Sequence, residues 1–177
     1  IDDALEGVDR AVTIVREVNE FSSGQDRLRS DADLNELLED SLRLATPQLR
    51  PGLCVERRLG SLPRLACAPG QMRQVFLNLI VNAIHALAEG GRIVLETRHD
   101  PDTSEVVVRV LDDGAGIAEE DLDRLFEPFF TTKPAGQGTG LGLYICYQIV
   151  RMHEGTISVV TGARSGTCVE VRLPCKN

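Results

Sequence analysis

No run of apolar residues in this chain approaches the roughly 18 to 20 needed to span a bilayer, although 42% of its 177 residues are hydrophobic. A transmembrane helix is therefore not expected. The five cysteines, Cys54, Cys67, Cys146, Cys168 and Cys175, form no C-x-x-C pair. An odd count at wide spacing suits reduced, core-packed thiols in a cytoplasmic setting. The three histidines, His85, His99 and His153, lack zinc-ligand spacing with one another or with cysteine, so no structural metal is expected. No internal repeat is visible. Basic charge is also short: the net charge of −8 disfavours nonspecific nucleic-acid binding, and Arg57-Arg58 reads as a solvated strand end. The opening Ile1-Asp2-Asp3 is neither a signal peptide nor a natural start, so the chain is expected to be a piece of a longer protein.

What is present fits one α/β domain with an appendage. Ile1, Leu5, Val8, Val12 and Val15 recur at alternating four- and three-residue steps, the seam of a helix that packs in a bundle or coiled coil. A polar stretch over 22–32 reads as a linker. Leu34, Leu37, Leu38, Leu42 and Leu44 then restore helical spacing as far as Pro47. "LCVERRLG" and "PRLACA" read as strands, and a strong helix runs from Pro69 to about Ala88, closed by Glu89-Gly90-Gly91. "RIVLETRH" and "EVVVRVLD" flank a turn and predict an antiparallel hairpin. "EEDLDRLF" and "TGLGLYICYQIVRMH" predict helices, and "GTISVVTG" with "GTCVEVRLP" a second hairpin.

Three stretches carry polar residues that this framework does not need. In "QVFLNLIVNAIHAL", Asn78 and Asn82 stand four apart on a helix otherwise apolar at its neighbouring positions. An unpaired buried amide costs about 1–3 kcal/mol. The pair must therefore bond within the core, meet a packed loop, or face a polar ligand. In "LDDGAGI", a strand runs into two acids and two glycines, which suits a tight turn or a backbone approached closely by something else. In "PAGQGTGLGLYI", Gly136, Gly138, Gly140 and Gly142 precede a helix, where backbone amides can cradle phosphate or simply form a flexible loop. The stretch is not a Walker loop, since the Lys-Ser/Thr ending is missing, nor a G-x-G-x-x-G fingerprint.

Taken together and in order, "NLIVNAIHA", "DDGAGI", "LFEPFFTTK" and "GQGTGLGL" resemble the N box, first glycine box, F box and second glycine box of sensor histidine kinase ATP-binding domains. These belong to the superfamily that includes gyrase, mismatch-repair and heat-shock chaperone ATPases. The likeness covers roughly residues 30–174 and looks nearest to nitrogen-regulatory-type sensor kinases. It implies a Bergerat ATP-binding fold, an α+β two-layer sandwich with a mixed sheet of about five strands on about three helices, preceded by an N-terminal helix. It divides the chain into residues 1–25, the second helix of a dimerisation and histidine-phosphotransfer hairpin, and 26–177, the catalytic ATP-binding domain.

The same resemblance implies the ligands and the roles. ATP and Mg²⁺ are the expected cofactors. Asn82 is expected to bind Mg²⁺, an ion that demands oxygen ligands, with Asn78 in support. Asp112 is expected to accept a hydrogen bond from the adenine amino group, with Gly114, Gly116 and Ile117 around the base. Phe129 and Phe130 are expected to clamp in a mobile lid from which Lys133 reaches phosphate. Gly138, Thr139, Gly140, Leu141, Gly142 and Leu143 are expected to wrap the phosphates as the lid closes. Asn78, Asn82 and Lys133 are the expected catalytic set. Expected partners are the chain's own phosphoacceptor hairpin within a homodimeric parent and a response-regulator receiver domain, with neither nucleic acid nor direct membrane contact.

Hydrolysing members of the superfamily carry Glu four residues before the Mg²⁺-binding Asn, where this chain has Asn78. Transfer to an external acceptor is therefore expected, against the rival readings of an ATP hydrolase and of a nucleotide-gated interaction module. No histidine has the setting of a phosphoacceptor; His153-Glu154 is followed by Gly155 and a strand, so His153 reads as structural. Two positions depart from the family pattern. Ala68 stands where an Asp often precedes the N-box helix, a change that could cost about 1 kcal/mol of local stability. His85 stands where Lys or Arg often follows the Mg²⁺ ligand by three residues, and is itself expected among the nucleotide-binding residues.

Overall fold

The computed structural model describes residues 29–87, 90–134, 138–161 and 166–175. The expected hairpin helix within 1–25, the linker as far as residue 28, Glu89 and Gly136 lie outside them.

Helix α1, Leu34–Ala45, begins at Asp33, whose carboxylate accepts the amides of Asn35 (2.8 Å) and Glu36 (3.4 Å). Those bonds satisfy donors that a helix start leaves open. Leu34, Leu37, Leu38, Leu42 and Ala45 form its buried stripe. Helix α2, Pro69–Ala86, ends two residues before the position expected from sequence. It buries Met72, Val75, Phe76, Leu79, Ile80, Ala83 and Ile84, so most of its circumference is core. The buried Ser41 hydroxyl ties the two helices by bonding the Leu37 and Arg73 carbonyls, at 2.8 and 3.1 Å. Helix α3, Gly142–Met152, packs on α2 through Ile145, Cys146, Ile149 and Val150.

These helices cover one face of a five-stranded sheet. Its strands are β2 (Leu53–Leu59), β4 (Gly91–Asp100), β5 (Glu105–Asp112), β6 (Thr156–Thr161) and β7 (Thr167–Pro174), in the order β2-β4-β5-β7-β6. β2 pairs parallel to β4 and the other neighbours are antiparallel, which gives the expected mixed sheet. Alternation decides the faces. Ile93 and Leu95, Val106, Val108 and Val110, and Val169, Val171 and Leu173 point into the core. On the opposite face Arg109 bridges Glu96 (3.1 Å) and Glu170 (2.5 Å), and Arg172 bridges Glu170 and Glu105. The sheet is an inner wall with a self-neutralised outer surface.

Three local expectations change. Part of the expected linker is strand β1, Ser30–Ala32, which pairs antiparallel with β3, Leu65–Cys67, as a separate two-stranded sheet. Burial of Ala32, Leu65 and Cys67 rewards this pairing, which a polar flank conceals in the sequence. The segment "EEDLDRLF" forms a 3₁₀ turn over Glu119–Arg124 with no buried residue, rather than an α-helix. Of the five thiols, all free, Cys67 and Cys146 are buried as expected, Cys168 and Cys175 are half-buried, and Cys54 is exposed on an edge strand.

The start of α2 is held from an unexpected quarter. Ala68 has no side-chain oxygen, and its amide instead donates to Nε2 of His153 at 3.0 Å. Nδ1 of the same ring meets the Ile149 carbonyl at 2.8 Å. The first bond needs an unprotonated Nε2 and the second a proton on Nδ1, so the ring is neutral with one tautomer. Burial, at 8% exposure, depresses its proton affinity; the Ile149 carbonyl opposes this, and Arg29 adds to it. A histidine depressed in the folded state contributes stability that is complete above the unfolded value, about 6.5, and is lost as pH falls toward the folded one. Urea unfolding at pH 8 and pH 5.5 should therefore show a steeper loss of midpoint for the wild type than for His153→Gln, which cannot titrate. Equal losses would show that this ring does not carry the pH dependence.

Candidate functional site

One end of the α2–α3 layer and the end of β5 enclose the residues singled out in the sequence. Asn78 and Asn82 lie half-buried on the flank of α2 that faces the start of α3. The Asn78 amide lies 3.4 Å from the Gly142 carbonyl as donor. A Cβ built on Gly142 would lie 3.9 Å from Nδ2 of Asn82 and 4.0 Å from the Asn78 amide group. Asn78 therefore spends a donor on the backbone of α3 and helps hold the Asn82 flank beside the helix start. Neither asparagine belongs to the apolar stripe of α2.

At the second corner, β5 ends at Asp112. Its Oδ1 accepts the Gly114 amide at 3.0 Å, closing a tight turn. Burial raises the Asp112 pKa, the Gly114 and Thr167 amides oppose the rise, and Asp113 adds to it. The carboxylate is thus held by backbone donors beside a partly dry space, suited to one further donor from a ligand. Gly114 backs against the last turn of α2, where a Cβ would meet the Ala86 carbonyl oxygen at 2.5 Å. Gly116 adopts φ +76° and Ile117 follows half-buried. Both readings of "DDGAGI" are thereby realised, a tight turn and a close backbone approach. Asp113, the residue between the motif's acid and glycine, takes a structural part. Its carboxylate accepts the Arg92 amide at 2.6 Å while the Arg92 carbonyl accepts its own amide at 3.2 Å, locking the end of β5 to the start of β4.

Between Phe126 and α3, Phe129 and Gly140 come together. The Phe129 amide donates to the Gly140 carbonyl at 3.0 Å, Phe129 adopts φ +68° and Gly140 φ +70°. A Cβ on Gly140 would fall 2.3 Å from the Phe129 carbonyl carbon, so this crossing requires glycine. Phe129 is 61% exposed. Its neighbour Phe130 lies under the Arg124 guanidinium, 4.5 Å from the ring centre, and Phe126 packs on Tyr147 of α3 with ring centres 5.6 Å apart. Gly138 lies beside Thr131 and the Lys133 stem. The Thr139 hydroxyl accepts the Leu141 amide at 3.3 Å, Leu141 is buried, and Leu143 is half-buried against the core. Lys133 Nζ donates to Nδ1 of His85 at 3.0 Å, connecting this segment to α2.

The arrangement suits an elongated ligand, with a base-like end at Asp112 and Gly114 and an anionic end at Asn82, Lys133 and the α3 start. The donor chemistry also fits magnesium. Asn82 offers a hard amide oxygen, and a Mg²⁺ ion ordinarily completes its shell with phosphate and water. Among the described residues no group of three His, Cys, Asp or Glu side chains could hold a metal. Sequence reasoning missed the parts of Asp113 and Arg50, the latter of which acts electrostatically on His85. It also missed the His153 bond to α2, although the absence of a capping side chain at Ala68 was its trace.

Comparison with known proteins agrees with this geometry. The family described as "Histidine kinase-, DNA gyrase B-, and HSP90-like ATPase" matches residues 67–177. The chain is 36% identical to sporulation kinase E of Bacillus subtilis, over 81% of this chain and 18% of that protein. It is 36% identical to the sensor kinase CckA of Brucella abortus, over 96% and 19%, and 33% identical to the sensor histidine kinase ZraS of Salmonella typhi, over 94% and 36%. Among solved structures, a nucleotide-free catalytic domain of the histidine kinase ThkA superposes with a TM-score of 0.74 at 31% identity, covering 83% of this chain and 95% of that one. The chain belongs to the histidine kinase-, gyrase B- and HSP90-like ATPase family, as a histidine kinase ATP-binding catalytic domain. It spans between 18% and 36% of the length of these three full-length relatives.

The close approach at Gly114 yields a direct expectation. Gly114→Ala forces a Cβ against the Ala86 carbonyl, an overpacking that costs about 1–3 kcal/mol, or roughly 2 to 10 °C in a domain of this size. Thermal unfolding measures it, and an unchanged midpoint would show that the turn relaxes freely.

Proposed function

We propose that this chain binds ATP·Mg²⁺ and transfers the γ-phosphoryl group to a histidine on a helical hairpin of its parent protein, for onward relay to an aspartate of a response-regulator receiver domain. In this reading residues 1–25 supply part of that hairpin and 26–177 the catalytic domain, in a homodimeric parent. Asn82 presents its amide oxygen to the metal and Asn78 braces it. Asp112 accepts the adenine amino group, Gly114, Gly116 and Ile117 border the base, and Lys133 contacts the phosphates. Phe129 and the run from Gly138 to Leu143 close over them. When bound, Mg²⁺ supplies charge neutralisation between the phosphates.

The bond from phosphorus to the ADP oxygen breaks and a phosphorus–nitrogen bond to the acceptor imidazole forms, the ring losing its proton. Phosphoryl transfer asks the protein mainly for positioning and electrostatic stabilisation. That is what amides and a lysine ammonium can give. The observation that carries transfer over hydrolysis is Asn78. It stands one turn before Asn82 and bonds α3 through its NH₂, and an amide cannot remove a proton from water as a carboxylate would.

His85, His153 and His99 do not offer an internal acceptor. His85 faces Lys133, His153 is buried with both nitrogens engaged, and His99 lies within β4. In-line transfer needs the reacting atoms about 3–3.5 Å apart. Incubated with γ-labelled ATP, the chain alone should gain no acid-labile, base-stable label, whereas a separately supplied hairpin from its parent should. Label on the chain alone, or none on a folded, docked hairpin, would refute the corresponding half. Binding titrations divide the roles further. Asn82→Ala should chiefly remove the Mg²⁺ dependence of ATP affinity, and Asp112→Asn should weaken all adenine nucleotides. If both variants bind ATP as the wild type does, the assignment is wrong.

A further inference from the structure

We propose that Asp113 is a positioning residue for base recognition: its side chain closes the last rung between β4 and β5, holds Asp112 in register, and so sets a preference for 6-amino over 6-oxo purines. The inference rests on the reading of Asp112 as the adenine acceptor. It adds the residue through which that acceptor is aligned.

The ladder pairs Asp112 with Ile93 of β4 on one side and with Thr167 of β7 on the other. The next rung toward the turn joins Arg92 and Asp113. In a hydrogen-bonded antiparallel pair, each amide donates to the other residue's carbonyl. Half of that exchange is ordinary here, the Asp113 amide donating to the Arg92 carbonyl at 3.2 Å. In the other half, the Arg92 amide donates at 2.6 Å to Oδ1 of Asp113. A side-chain oxygen thus takes the place that a carbonyl has in a continuing ladder. The main chain beyond Asp113 is free to enter the Gly114 turn, and Asp112 stays one rung inside the sheet rather than at its frayed end. Asparagine carries an oxygen at the same reach, whereas alanine carries none.

The surroundings are shaped to this bond. Gly91 adopts φ +131°, and a Cβ there would lie 2.8 Å from Oδ1 of Asp113 and 2.7 Å from Cδ2 of Leu87. Across the strand, a Cβ on Gly166 would fall 2.4 Å from the Asp112 carbonyl oxygen and 3.3 Å from the Asp113 Cα. Together with Gly114 against Ala86, three glycines let the backbone close around the two acids. Asp112 therefore has a narrow range of positions while the rung holds. Its Oδ1 already takes the Gly114 amide at 3.0 Å, so what is left for a base is directional. The 6-amino group of adenine donates, whereas the 6-oxo group of guanine or hypoxanthine accepts and meets a carboxylate unfavourably. Loosening Asp112 thus costs discrimination at the 6-position and spares contacts at the phosphate end.

The test is calorimetric titration of the whole chain with ATP and with ITP, each with saturating Mg²⁺. The two nucleotides share the ribose and phosphates and differ at the 6-position. Asp113→Ala should lower the ATP-to-ITP affinity ratio by about fivefold or more, part of the roughly tenfold that a hydrogen bond to a charged group is worth. ITP affinity should stay within about twofold, whereas a general loss of structure would weaken both nucleotides alike. Asp113→Asn keeps the rung oxygen and should hold the wild-type ratio within about twofold. In an Asp112→Ala background, Asp113→Ala should leave the ratio unchanged, because its effect passes through Asp112. Asp113→Ser, polar but too short to make the same bond, replaces Asp113→Ala if that variant does not fold. A wild-type ratio in Asp113→Ala, with the ratio lost in Asp112→Ala, would overturn the positioning role and leave the adenine assignment standing. An equal drop in both backgrounds would also overturn it. A wild-type ratio in Asp112→Ala would overturn both.

Discussion

The site depends on one constraint: α2 must be a core helix around most of its circumference and still present Asn78 and Asn82 to a wet cleft. Phe76, Ile80 and Ile84 are fully buried, so the helix cannot rotate to hide its amides without exposing large apolar side chains. Exposing one such side chain costs about 1.5–3 kcal/mol. The hydrophobic stripe thus sets the azimuth of the two asparagines, and Asn78 confirms it by bonding the backbone of α3.

The other parts of the pocket are referred to the same helix. The N-terminus of α2 is tied by His153 to the end of α3, and its last turn is backed by Gly114, where the Ala86 carbonyl leaves no room for a Cβ. The Asp112 corner is held at a fixed distance from the asparagine flank by that approach. The Asp113–Arg92 exchange fixes the same corner to the sheet. Among the described residues ahead of α3, Lys133 meets His85 of α2, and Phe126 packs on Tyr147 of α3.

Charge is divided in a matching way. The outer face of the sheet carries glutamates and arginines that neutralise one another, so the overall acidity does not spread into the cleft. Burial works against the charge of Glu170 there, and its bonds to Arg109 and Arg172 outweigh it, leaving the carboxyl below its ordinary range. Around the site Lys133 brings positive charge beside His85, while Asp112 stands at the end of β5. An adenine nucleotide has the complementary order, a neutral base at one end and anionic phosphates at the other.

Periodicity and turn chemistry by themselves determined α1, α2, α3 and the two hairpins, because residues that bury one face must recur at a spacing the backbone imposes. The four ordered motifs likewise singled out Asn82, Asp112 and Gly140 before any distance was known. Only the tertiary structure decided the rest. β1 owes its pairing to β3 some 35 residues along the chain, the Glu119–Arg124 turn buries nothing that would stabilise an α-helix, and Ala68 is served by a histidine 85 residues away. Lys133 meets His85 across 48 residues of chain, a bond that neither segment encodes alone. Local sequence specifies the energy of forming an element, whereas which side chain answers an unsatisfied amide, or which cation meets which ring, depends on contacts between segments that share no sequence window.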